Sequence, residues 1–298
     1  MLVDPNYVSN LSSAIAASSA TEQTLTSELS SGLRVATLSD DPVAVSSNVQ
    51  LSSELAGLDA FVQSASGEES RLQAADSTLG EVVSQVTSAI SLATEGANGT
   101  LNASDLATLA QQVAKIRDSV VSLANTSYQG TYLFSGSQGG TKPFTVDTTT
   151  SPATTTYAGD DVISTIQTPG GQSLAVNVPG SAIFTATGSS LLGTLNQLVS
   201  DLQSGSSADI AADSTALTAA LTTVNTQRST LDTSLSQLTT TSSYAQTQSA
   251  VIEAQQTTLL SADTATVATS LQTAETQHQA LISVVSALGQ NDLFSYLK

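Results

Sequence analysis

From Ser206 to Leu288 the chain contains neither glycine nor proline. Nothing in that stretch breaks a helix, so its apolar spacing decides what it can fold into. The spacing alternates three and four. It runs through Leu217, Leu221, Val224, Arg228, Leu231, Leu235 and Leu238, then through Val267, Leu271, Ala274, His278, Leu281, Val285 and Leu288. That is the seam of a coiled coil, and it predicts helix almost unbroken up to Gly289. A single helix cannot cover its own seam, so partner helices must come from elsewhere in the chain.

They lie in the first part. Leu11, Ile15, Leu25 and Leu29 form a seam whose gap is filled by Ser18 and Glu22. Gly32 interrupts it. Ser39-Asp40-Asp41-Pro42 then reads as a fresh start, with Asp41 as N-cap and Pro42 at the first helical position. Leu51, Leu55, Leu58 and Val62 continue, followed by Leu72, Leu79, Val82, Val86 and Ile90, and the stripe stops near Gly96. Asn102 can cap a further helix that carries Leu106, Leu109, Val113, Ile116, Val120 and Leu123. A shorter stripe, Leu191, Leu195, Leu198 and Leu202, follows Gly188.

Between Gly130 and Thr187 the period changes. Tyr132–Phe134, Phe144–Val146, Val162–Ile166 and Leu174–Val178 are short β-type runs, separated by Gly, Pro and Asp turns. The reading is mainly α with a small β insert: a long antiparallel helical rod carrying an antiparallel β domain. Residues 1–38 and 260–298 form a terminal helical part, 39–129 and 188–259 a helical rod, and 130–187 a β-rich outer part.

Composition narrows the function. Charged residues make up 11% of the chain, and 25 acidic against 7 basic residues give a net charge of −18. That balance argues against nucleic acid and against anionic membrane as partners. There is no cysteine and only one histidine, His278, placed on the seam as a packing residue. Neither a G-x-S-x-G element nor a phosphate loop with its lysine occurs. Asp40-Asp41 and Asp160-Asp161 read as caps and turns rather than cation ligands. No catalytic, cofactor-binding or metal residue is expected. No basic residue precedes Arg34 and no apolar core follows the start, so a cleaved signal peptide is not expected, and the chain is either cytoplasmic or exported by a route that needs none. No apolar run is long enough for membrane insertion.

The two ends look built for assembly. The first seam brings less apolar surface per residue than the helices near Leu106 or Leu217, so it depends on neighbours to complete its core. The last segment is covered by Ala, Ser, Thr and Gln, with few charges. The candidate interface residues are therefore Leu11, Ile15, Leu25 and Leu29 with Val267, Leu271, His278, Leu281, Val285 and Leu288. Gly32, Arg34, Asp40, Asp41 and Pro42 form a junction motif between them and the rod. Arg34 is either a solvated side chain after the break or an anchor between the two parts.

Five segments carry a resemblance to the flagellin superfamily. They are Leu29-Ser-Ser-Gly32-Leu-Arg34-Val35 with Ser39-Asp40-Asp41-Pro42; Leu123-Ala-Asn-Thr126 with Gly130-Thr-Tyr-Leu-Phe-Ser-Gly136 and Lys142-Pro143-Phe144; Tyr157-Ala-Gly-Asp-Asp161; Val176-Asn-Val-Pro-Gly180 with Ile183-Phe184; and Leu293-Phe-Ser-Tyr-Leu297. Asp-Asp-Pro and Tyr-x-Gly-Asp resemble the hook–filament junction branch more than filament subunits. The start, Met1-Leu-Val-Asp-Pro-Asn6, lacks the basic residue common near it in that family.

The resemblance implies an axial structural protein of the bacterial flagellum. Its terminal helices would assemble helically outside the cell after type III export. The implied partners are hook-associated protein 1, flagellin, copies of itself and a flagellar export chaperone. A filament subunit, or outside the family a coiled-coil surface adhesin, stays open at this point.

Overall fold

The computed structural model describes residues 5–295, with side chains described over 9–287. Seven helices and six short strands follow in the order α1 (Pro5–Ser31), α2 (Pro42–Gly96), α3 (Ala103–Ala124), β1 (Ser127–Tyr128), β2 (Thr131–Tyr132), β3 (Phe144–Asp147), β4 (Thr154–Tyr157), β5 (Thr165–Gln167), β6 (Ser173–Ala175), α4 (Ser181–Phe184), α5 (Leu191–Ser204), α6 (Ser207–Leu260) and α7 (Thr264–Ser295). They pack as two units, one of residues 1–56 with 249–298, the other of residues 57–248. This division follows compactness, whereas the three-part division above follows element type.

The helix starts are local chemistry. Asp41 Oδ1 accepts the Ala44 N–H at 3.0 Å and opens α2 at Pro42. Asn102 Oδ1 accepts the N–H groups of Ser104 and Asp105 at 2.9 and 3.0 Å and opens α3. Gly205, at φ +79°, closes α5 in the left-handed conformation.

The larger unit holds the dry core. Leu79, Val82 and Val86 of α2, Val113 and Val120 of α3, Leu195 and Leu198 of α5, and Leu217 and Val224 of α6 are all 0% exposed. Arg228, the polar member of the α6 seam, is not idle there. Its guanidinium meets Asp76 of α2 with Nε–Oδ1 at 2.8 Å and Nη2–Oδ2 at 3.1 Å, a bidentate pair at the seam edge.

The β insert is three separate antiparallel hairpins, β1–β2, β3–β4 and β5–β6. Gln129 and Gly130, both at positive φ, make the first turn. Strand is shorter here than the β-type runs suggest. Leu133, Phe134, Val176 and Val178 are buried outside any strand, and Val162 and Ile163 are exposed. Asn177 explains the second departure. Its side chain accepts the Ser164 N–H at 2.7 Å and donates to the Val162 carbonyl at 3.1 Å, replacing the ladder that would extend β5. Beneath the hairpins Phe134, Phe144 and Phe184 meet edge to face at 5.2–5.3 Å, with Tyr157 tilted over Phe144 at 4.9 Å.

The nearly unbroken helix expected from Ser206 to Leu288 is corrected: it stops at Leu260 and restarts at Thr264. The Leu260 carbonyl accepts the Arg34 N–H at 2.8 Å instead of a helical donor. Asp263 then caps α7, accepting the N–H groups of Ala265 and Thr266 and the Thr266 hydroxyl. A tertiary contact sets this break, aided by a capping aspartate rather than by glycine or proline.

Along α6 the threonines turn inward on their own helix. Thr218, Thr222, Thr226 and Thr230 each donate a hydroxyl to the carbonyl four residues earlier, at 2.9–3.1 Å. Thr269 and Thr273 of α7 do the same at 2.9 Å.

Candidate assembly interface at the chain ends

α1 packs against α7 within the smaller unit. The half-covered α1 side chains are Leu11, Ile15, Ser18, Ser19, Glu22, Leu25 and Glu28. None of the described α1 side chains is fully buried. Among the described side chains of α7 only Val267 and Ala274 are buried, at 8% and 7% exposure, while Leu271, His278 and Leu281 are half-covered. Leu29 is 39% exposed; in the last turn before Gly32 it is Glu28 that takes the covered side. Val285 is 41% exposed beside Ile282 and Val284 at 49% and 42%. The side chain of Leu288 and the Leu293–Leu297 segment lie outside the described side chains. An antiparallel pair of two helices has room for one shared seam, and this one stays half wet.

Two polar members of that seam meet. Glu22 Oε1 and His278 Nδ1 stand 3.8 Å apart, each side chain less than a quarter exposed. The sequence places each on its own helix as a gap filler and does not connect them.

The turn joining α1 to α2 is tied to the α6–α7 break. Gly32 takes φ +71° and its N–H reaches the Glu28 carbonyl, closing α1. Its carbonyl accepts the Ala262 N–H at 2.9 Å, and Leu33 bridges Ser261. Arg34 anchors the same place three ways. Its N–H donates to Leu260, Nη2 donates to the Leu259 carbonyl at 3.1 Å, and Nη1 pairs with Asp41 Oδ2 at 3.4 Å. Its side chain is nonetheless about half exposed. Asp40 folds the turn itself, accepting the N–H groups of Thr37 and Ala36 at 2.7 and 3.0 Å. These bonds hold the Asp40 carboxyl below its ordinary range, the Thr37 N–H contributing most. The Ala44 N–H does the same to Asp41, with Arg34 adding.

Replacing Arg34 by Ala is expected to leave α1 and α7 helical while loosening the turn. Amide exchange at position 34, Val35 and Ala262 should speed up about tenfold on loss of the two guanidinium contacts, to the Leu259 carbonyl and to Asp41. Exchange followed by NMR reads this directly; unchanged protection would mean that the side chain contributes nothing to the tie.

Among the described residues no group of three or more His, Cys, Asp or Glu side chains is placed to hold a metal, and no helix is long and apolar enough to cross a membrane.

Residues 6–139 match the bacterial flagellin N-terminal helical region, and residues 214–297 the bacterial flagellin C-terminal helical region. Over 183 residues the chain is 33% identical to flagellar hook-associated protein 3 of Salmonella typhimurium, covering 60% of this chain and 54% of that protein. Over 212 residues it is 28% identical to flagellar hook-associated protein 3 of Escherichia coli, covering 66% of this chain and 65% of that protein. The matched stretch is thus under two thirds of either relative's length. A solved structure of a putative flagellar hook-associated protein from Vibrio parahaemolyticus superposes with a TM-score of 0.66 at 19% identity, over 74% of this chain and 99% of that one. At that identity it speaks for the fold alone.

Proposed function

Since the chain belongs to the bacterial flagellin family, whose N- and C-terminal helical regions it matches, we propose that it is a structural junction piece between flagellar hook and filament. It acts by helical self-assembly of its terminal helices, and not as an enzyme. The observation that carries this reading is the half-covered seam between α1 and α7. The same chain dries its core completely around Leu195 and Leu217. A terminal pair left wet along both helices is suited to neighbours that supply the missing side.

In this reading Leu11, Ile15, Leu25, Leu29, Val267, Leu271, His278, Leu281, Val285 and Leu288 face other subunits or the partner helix. Gly32, Arg34, Asp40, Asp41 and Pro42 are the junction motif between the terminal part, residues 1–38 and 260–298, and the rod. The rod comprises residues 39–129 and 188–259, and the outer part 130–187. The partners in this reading are those the family resemblance implies: hook-associated protein 1 on one side, flagellin on the other, further copies of the chain, and an export chaperone. The site of action is the flagellum outside the cell.

Deleting the gene for this chain should leave hooks without filaments and flagellin free in the medium, seen by electron microscopy and by assay of the culture supernatant. Filaments that still form would assign the chain to the filament itself. Intact hooks with full filaments would remove it from the flagellar axis altogether.

A further inference from the structure

The seam between α1 and α7 contains one ion pair, Glu22–His278, and among the described residues no other ion pair joins these two helices. Two features set it apart from a surface pair. Glu22 Oε1 and His278 Nδ1 are both buried, and neither has a hydrogen-bond partner. They also face each other at 3.8 Å, just outside bonding distance. Each orphan is what the other lacks: Oε1 needs a donor and Nδ1 can carry one. A buried polar atom without a partner destabilises the packing around it.

We propose that Glu22 and His278 form a proton-operated latch that sets the register of α1 against α7 and tightens their pairing in mildly acid solution. In the imidazolium both ring nitrogens carry hydrogen. Nδ1–H then points at Oε1 whatever tautomer the neutral ring prefers, and the contact becomes a charge-assisted bond. The pair sits with half-buried Ser18 and Leu25 on α1 and with Ala274 and Leu281 on α7. A one-turn slip of either helix would bury Glu22 against an apolar residue. That is how a single polar position specifies register in a coiled coil. The groups that bear on His278 are Glu22 across the seam and Glu275, exposed, three residues earlier on its own helix. The charge-assisted contact exists while both ring nitrogens carry hydrogen and is lost once one of those protons leaves.

The inference stands on this geometry and not on the flagellar reading. Its test uses the purified full chain, free of flagellar partners. The readout is the melting of the least stable helical transition, followed by circular dichroism at about pH 5.5 and about pH 8, which bracket histidine titration. The whole chain becomes less negative on acidification, so the quantity that matters is the difference in pH response between wild type and variants. The wild type should gain on the order of 4 °C more than His278→Gln between the two conditions. Glu22→Gln should lose the same increment. His278→Leu, which makes the seam apolar and guards against simple misfolding, should melt at or above the wild type at the higher pH yet show no pH-dependent gain. The exchanged pair Glu22→His with His278→Glu should restore the response. Equal pH responses in wild type and His278→Gln would overturn the latch, and so would a response retained in Glu22→Gln.

Discussion

Phe184→Ala lowers the stability of the unit formed by residues 57–248 by about 3–5 kcal/mol. The ring is 0% exposed and meets Phe134 and Phe144 edge to face at 5.3 and 5.2 Å. Removing it takes away apolar burial and two aromatic contacts and leaves a cavity that cannot close. Its backbone is held on one side by the Phe184 N–H to Gly180 carbonyl bond at 2.8 Å, and Gly180 donates in turn to the Phe134 carbonyl at 3.0 Å. The same site has no room to grow. A Cβ on Gly180 would come within 2.5 Å of the Phe134 carbonyl oxygen and 2.8 Å of the Phe144 ring. Urea unfolding read by near-ultraviolet circular dichroism measures the loss, because Tyr157 lies against Phe144 and reports on the cluster. A change under about 1 kcal/mol would mean that the hairpins reseat around the vacancy.

Asp213→Asn acts in the opposite direction and only in part of the pH range. Asp213 is 7% exposed, and its Oδ2 has no hydrogen-bond partner. Burial pushes its carboxyl from 3.8 up to about 7, with the carboxylates of Asp201 and Asp209 adding to the rise. A carboxyl whose folded value is raised binds its proton more tightly in the folded chain than in the unfolded one. Its contribution is therefore whole below about pH 4, declines as pH climbs, and is gone above about pH 7. The amide keeps the shape and drops the charge. The variant should match the wild type near pH 4 and exceed it by on the order of 2 kcal/mol near pH 8. In a unit of this size that is about 4–8 °C in Tm. Paired thermal melts at the two pH values decide it. A variant no more stable than the wild type at the upper pH would show that Asp213 is not buried as a charge.

The helix starts were legible because their chemistry is local. Asp41-Pro42 and Asn102 announce α2 and α3 within a few residues, and Gly32 announces the end of α1. What was hidden depends on residues far apart in the chain. Arg228 looks like a flaw in an apolar seam until Asp76, 152 positions earlier, is brought to it. The α6–α7 break depends on Arg34 taking the Leu260 carbonyl, and the only local trace of it is Asp263 followed by Thr266. Asn177 keeps β5 from reaching back to Val162, 15 residues upstream of it. The Glu22–His278 meeting follows the same rule: each residue sits correctly on its own seam, and only the pairing of the helices gives either a partner. Leu29 missed the covered side. In the last turn before Gly32 the covered position is Glu28, and the seam spacing gives no reason for it.

The threonine ladders on α6 and α7 have a consequence for how such a surface meets another. The hydroxyls of Thr218, Thr222, Thr226 and Thr230 are each already occupied by their own backbone. What such a face offers outward is the γ-methyl group, without a formal charge and without a free donor. A neighbour laid against it has no tightly held hydration shell to strip away and no counterions to displace, so added salt has little to screen. Adhesion on these faces should be indifferent to ionic strength and governed by fit alone.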